Sequence, residues 1–274
     1  MSICLLNREF VSIVILYLTE KLKYNFILEC KYILKNMNIL YTEYHYPLYC
    51  IGSVIFYYAY FVTNTLLMAF NRKYRHLSNE KQMYVVSNLL KSIFLCFSTP
   101  LAGYVLYDTM YLRNWNNPLI KNLGVLYAIP DTVSLLLVKK MDMTTKIHHI
   151  IVILFNIVSI SNNYSTNNIL RFLIIYGCFS TFAFIVNFIL AVRFLHENKL
   201  IEMWLSRIAF IAYTLCCTVN WGWHIIYVPE LYNSCESQMC TYSIYIYGSM
   251  VGALVIDDIK LNKWLYNKSK FLST

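Results

Sequence analysis

Two adjacent histidines, His148 and His149, stand in KIHHIIVILFN, where a charged lead-in gives way to an almost unbroken apolar run. An imidazole, with an unperturbed pKa of about 6.5, can take or give a proton at neutral pH or accept an acyl group transiently. Asp131, in YAIPDTVSLLL, is the carboxylate placed to orient or charge one of those rings, and Arg171, opening RFLIIYGCFSTF, is a cation at the head of another apolar run. Adjacent residues on a helix point about 100° apart, so at most one histidine faces any given partner. A metal site would want three or more convergent ligands, such as a His-x-x-x-His pair with further acids. No such histidine pair occurs in the chain, and no metal is expected.

These residues need a scaffold, and composition says which kind. Of 274 residues 58% are hydrophobic and 14% charged, the charges crowding into short islands between long uncharged stretches. That is the profile of an all-α, polytopic membrane protein. A bilayer core needs roughly 20 apolar residues per helix, and seven runs qualify: 47–70, 85–107, 122–138, 147–161, 172–192, 208–228 and 239–256. The organisation expected is an amphipathic interfacial segment over 1–46, a first span over 47–70, a six-helix membrane domain over 72–260 and a cytosolic tail over 261–274.

The net charge of +9 does not point to nucleic acid, because its residues are sorted by loop. Seven spans put Arg72, Lys73, Arg75, Lys139, Lys140, Lys260 and their neighbours on one face, and Arg113, Lys121 and Arg171 with the N-terminal segment on the other. The positive-inside rule then sets the C-terminus in the cytosol and the N-terminus on the lumenal side of an endomembrane. The connection that holds Cys235 and Cys240 carries no Lys or Arg. If lumenal, that pair closes a small disulfide ring or stays as two free thiols; spacing does not decide between them.

Charged groups inside spans cost about 3 kcal/mol each on insertion scales, so each must be placed. Lys91 and Asp108 sit toward opposite ends of the second run and are expected to snorkel to headgroups. His224 is expected to pack near the lumenal end of the sixth run, beside Trp221 and Trp223, which read as an interfacial aromatic belt. Asp131 precedes Lys139 by eight residues, about 12 Å of helix. A polar hairpin of about eight residues would leave Asp131 about 8 Å deeper than His149, a gap for a polar substrate group or water to bridge.

The combination of Asp131, the His148–His149 pair opening a span and Arg171 opening the next resembles the TLC family, the ceramide-synthase-like multi-pass membrane proteins. The resemblance covers roughly 72–260. It implies six helices around a lipid-accessible cavity, an added span before them, and residence in the endoplasmic reticulum or a related membrane. It also implies membrane lipids as partners, acyl-CoA as co-substrate and no other cofactor. His148 and His149 would then be base or nucleophile in joining an acyl thioester to a sphingoid amine, with Asp131 beside them and Arg171 at the substrate. Ceramide synthases carry two aspartates three residues apart on the helix after Arg171, whereas IIYGCFSTFAFIVN has no acid. A non-catalytic lipid sensor, transport or scaffold protein is the competing class. The sequence carries no specific signal for a homodimer.

Overall fold

A computed structural model describes residues 41–235 and 237–270. The interfacial segment expected before residue 41, and the end of the tail from 271, lie outside the described residues. Among the described residues nine α-helices follow one another: α1 (His45–Phe70), α2 (Arg72–Arg75), α3 (Asn79–Leu106), α4 (Asn117–Leu137), α5 (Met143–Ser161), α6 (Leu170–Thr181), α7 (Phe184–Val192), α8 (Lys199–Asn233) and α9 (Gln238–Ser269). A π-helical turn, Tyr107–Tyr111, extends α3, and the described residues contain no strand.

Six of these helices are long and apolar enough to cross a membrane, and α6 with α7, bent by 44°, makes a seventh if the pair is taken as one span. The chain is thus a multi-pass membrane helix bundle. The order of packing is a closed ring: α3 lies against α4, α4 against α5, α5 against α9, α9 against α8, α8 against α7, and α7 against α3. Helix α6 leans inward against α3, α4 and α8, while α1 stands outside the ring against α3 and α4. Two hydroxyl contacts fasten α1 there, Tyr49 Oη to Thr132 Oγ1 at 2.8 Å and Tyr60 Oη to Ser134 Oγ at 3.0 Å.

The helices outrun the uncharged stretches of sequence, and side-chain caps explain where they start. Asn116 accepts from the Leu119 amide, Asn198 from Leu200 and Ile201, and Ser237 from Cys240, each satisfying backbone donors that a helix start leaves without partners. Asp142 caps α5, taking the Thr144 amide and, at 2.5 Å, the Thr144 hydroxyl. Those hydrogen bonds, the hydroxyl's first, hold its carboxyl below the usual range. The cap converts 143–146, expected as loop, into the first turn of α5, and the α4–α5 hairpin shrinks to five residues.

One end of the ring carries the Lys139–Lys140 hairpin, α2 and the end of α9, and is here called the basic end. There Lys73 donates to His196 O at 2.6 Å and Asn71 to Leu195 O at 3.1 Å, tying α2 to the α7–α8 connection. At the opposite end a disulfide joins Cys235 and Cys240 across the α8–α9 turn, Cα to Cα 5.7 Å.

Candidate functional site

Shortening the hairpin changes what the two histidines can reach. Asp131 stands six residues before Leu137, the last of α4, and His149 six after Met143, the first of α5. In an antiparallel hairpin those positions are level. The offset of about 8 Å expected from the longer loop is therefore absent, and His149 Nδ1 lies 2.8 Å from Asp131 Oδ1. The approach is too bent for an aligned hydrogen bond, so its pull is chiefly that of charge and dipole.

The same Asp131 oxygen takes the ammonium of Lys91 from α3. Lys91 does not snorkel. It is twelve residues into α3, about 18 Å from the helix start, too deep for its stem to bring the charge to headgroups, and the inward carboxylate is the partner within reach. Three consecutive helices thus converge on one carboxylate that is fully buried. Its second oxygen, Oδ2, has no hydrogen-bond partner among the described residues. Asp108, the other acid expected to snorkel, is buried in the π-turn and accepts from Asn114 Nδ2 at 2.9 Å.

His148 turns the other way, as its 100° offset requires, and meets α9. Its Nδ1 lies 3.2 Å from Asp257 Oδ2, again off the line of an aligned hydrogen bond. The neighbouring Asp258 is buried and accepts two short phenol hydrogen bonds at 2.6 Å, from Tyr176 of α6 on Oδ2 and Tyr213 of α8 on Oδ1. Asp257 and Asp258 were not anticipated from sequence. The seventh apolar run stops at Ile256, where charge begins; α9 continues for thirteen further residues. Two acids on successive residues directly after a span, followed by Lys260, were the available signal.

Two cavities meet at these groups. A polar chamber of about 400 Å³ opens among Lys91, His148, His149, Arg193, Asp257 and Asp258, toward the basic end. An apolar slot of about 60 Å³ runs along α5, lined by Val152, Phe155, Leu173, Ile174 and Leu254. His148 and Tyr127 line both. A ring whose Nδ1–H is turned to a carboxylate keeps its Nε2 lone pair for a substrate proton or an acyl carbon. His148 Nδ1 has Asp257 within 3.2 Å, off the line of an aligned hydrogen bond, at the point where polar and apolar space join.

Arg171 is elsewhere. It opens α6 at the opposite end of α5 from the histidines, donates through Nε and Nη2 to Tyr164 O at 2.9 and 2.7 Å, and lies 4.5 Å over the Trp115 ring. It holds the α5–α6 loop, whose Tyr164 is buried and shares a hydrogen bond of 2.5 Å with Ser159. Burial pushes the Tyr164 phenol up to about 12. The structure therefore unites His148, His149 and Asp131 and leaves Arg171 apart from them.

His224 packs inside the bundle. Helix α8 runs on to Asn233, so His224 is about 14 Å inside its end. The ring is buried, with Nε2 2.8 Å from Tyr247 Oη and Nδ1 2.8 Å from Asn220 O. Both nitrogens are used, which makes it a packing histidine. Among the described residues no group of three His, Cys, Asp or Glu side chains converges as metal ligands.

Compared with known proteins, the chain matches no family model, no curated protein and no solved structure.

Proposed function

We propose that this protein binds an amphiphilic lipid within its helix ring and acts on it at His148, passing an acyl group from a thioester to an amine. The observation that carries the reading is the position of His148, which borders both the polar chamber and the apolar slot. An acyl chain lying in the slot would bring its carbonyl to the imidazole, while the polar donor and acceptor groups occupy the chamber.

The chemistry asked of the chain's own residues is modest. The amine nitrogen attacks the thioester carbonyl carbon as His148 Nε2 takes the amine proton; the carbon–sulfur bond then breaks, and the departing thiolate takes that proton from the imidazolium. Asp257 steadies the cation formed in between, a role worth roughly 10²–10⁴-fold for a positioned base with its partner. Arg193 and Lys260 border the chamber and suit the anionic groups of acyl-CoA. The resemblance to ceramide-synthase-like proteins supports a sphingoid acceptor. The basic end would face the cytosol by the positive-inside rule, in the endoplasmic reticulum or a related membrane.

Purified protein in detergent, given long-chain acyl-CoA and a sphingoid base, should form the amide, and His148→Ala should abolish it. Equal turnover in the variant would end this reading of His148.

A second reading is favoured by Asp131. Its Oδ1 is already occupied by Lys91 and His149, as a structural polar centre would be. On that reading the protein is a non-catalytic lipid sensor, transport or scaffold protein. Lipids would then co-purify without turnover, which mass spectrometry of the extracted complex distinguishes.

A further inference from the structure

We propose that the lipid in the apolar slot carries a hydroxyl group partway along its chain, and that Asn156 reads it. The inference rests on the lipid-binding reading above and adds the class of lipid.

Helix α5 presents His148, Val152, Phe155, Asn156 and Ser159 to the slot, the i, i+4, i+7, i+8 and i+11 positions of one helical face. Val152 and Phe155 belong to a hydrocarbon wall; Asn156 does not. It is 5% exposed, and its Oδ1 has no hydrogen-bond partner among the described residues. The other polar groups at this depth are engaged. Ser159 shares its hydroxyl with Tyr164, Thr181 donates to Cys178 O at 2.8 Å, and Tyr176 donates to Asp258. Gly124 of α4 stands opposite: a Cβ built there would lie 3.8 Å from Asn156 Oδ1 and 3.5 Å from Ser159 Oγ, both ordinary contacts.

A buried amide oxygen without a partner is costly to keep, and a free water is a poor remedy. Water needs two to four polar partners to be held; beside Asn156 the slot offers the already bonded Ser159 hydroxyl, and its neighbouring walls are otherwise Leu123, Val152, Leu173 and Ile174. A hydroxyl attached to a hydrocarbon chain is anchored by that chain and needs only the one partner. Because a hydroxyl both donates and accepts, it suits either end of the amide as the side chain turns.

The spacing fixes where the hydroxyl must be. Asn156 is eight residues beyond His148, about 12 Å along the helix. An extended chain of single bonds advances ~1.2 Å per bond, so the hydroxyl falls roughly ten carbons from the head group.

The test uses the full chain in detergent with two probes, stearate and stearate hydroxylated roughly ten carbons from its carboxylate, each competing against a fluorescent fatty acid. The native protein should prefer the hydroxylated probe by roughly five- to tenfold, the worth of one hydrogen bond, and Asn156→Leu should bind the two equally. Equal affinity for both probes in the native protein overturns the hydroxyl assignment while leaving lipid binding in place. Preference retained in Asn156→Leu overturns the role of Asn156. Binding of neither probe overturns the lipid reading itself. The native comparison needs no variant, so a misfolded Asn156→Leu does not rescue the proposal.

Discussion

His148 Nδ1 lies 3.2 Å from Asp257 Oδ2, joining the start of α5 to the far part of α9 across 109 residues. The helix after Arg171 has no acid to offer, and this contact supplies one from the last helix of the ring instead. With His149 against Asp131 on α4, each member of the adjacent pair has its own carboxylate. The 100° between neighbouring helical residues makes two separate His–Asp pairs rather than one crowded site. The pairs also differ in access: Asp131 is fully buried and shared with Lys91, whereas the Asp257 and His148 side chains are 19% and 18% exposed. A substrate can meet His148 without opening the bundle.

That difference makes Asp257 a positioning residue with a measurable signature. Asp257→Asn keeps the side chain's shape but leaves the imidazolium without its counter-charge, and acyl transfer should fall by about 10²-fold or more. Combined with His148→Ala it should cost little beyond the single variant, because the two act as one unit. Melting temperature should barely move in Asp257→Asn. Additive losses in the double variant would show that Asp257 acts apart from His148.

The Lys91–Asp131 pair should dominate stability rather than activity. Removing one partner of a buried ion pair strands the other and typically costs 3–5 kcal/mol, while replacing both with apolar groups can be nearly neutral. Lys91→Met and Asp131→Leu should therefore each unfold well below the native protein in thermal scans, and the double variant should recover much of the loss. Two single losses that simply add would mean that the pair is not energetically coupled.

Helix number and order were legible because a span must be long and apolar, and each of the seven apolar runs falls, to within a residue, in one helix or, for α6 and α7, a bent pair. The ends were not. Met143 to Lys146 looks like loop by composition, yet Asp142 caps it into helix, and those few residues decide whether His149 meets Asp131. At α9 the same shortfall falls at the other end of the helix. Asp257 and Asp258 look like the end of a span because charge is expensive in lipid, but a helix facing an internal polar chamber carries charge without meeting lipid. Lys91 was misplaced for the same reason. Hydropathy along a chain measures what each residue would cost in hydrocarbon, and it does not know which faces of the ring are wet.

The disulfide provides a test of topology. Cys235 and Cys240 are bonded at the end of the bundle opposite Lys139 and Lys140, so an impermeant maleimide should leave them unmodified until a reductant is added. In sealed vesicles, labelling after reduction should come from the side opposite the C-terminus, the lumenal side if the basic end faces the cytosol. Cys50 and Cys96 are exposed, and replacing them together with Cys4 and Cys30 by Ala removes background. Labelling of the reduced pair from the C-terminal side would contradict the paired topology of α8 and α9.

The slot offers a way to change ligand length without touching the histidines. Gly177 of α6 lines it, and a Cβ there would meet nothing within 4 Å. Gly177→Ala should be tolerated and even stabilise α6 by up to about 1 kcal/mol, since glycine is a poor helix former. Gly177→Leu should instead fill space that a hydrocarbon chain would use, because overpacking a cavity lined by close-packed helices has no cheap relief. Binding of long-chain acyl ligands should drop by roughly tenfold, the cost of one or two displaced methylenes, while ligands several carbons shorter bind as before. If long and short chains weakened together, the side chain would be acting on the fold of α6; if neither changed, the hydrocarbon would have to lie elsewhere in the ring.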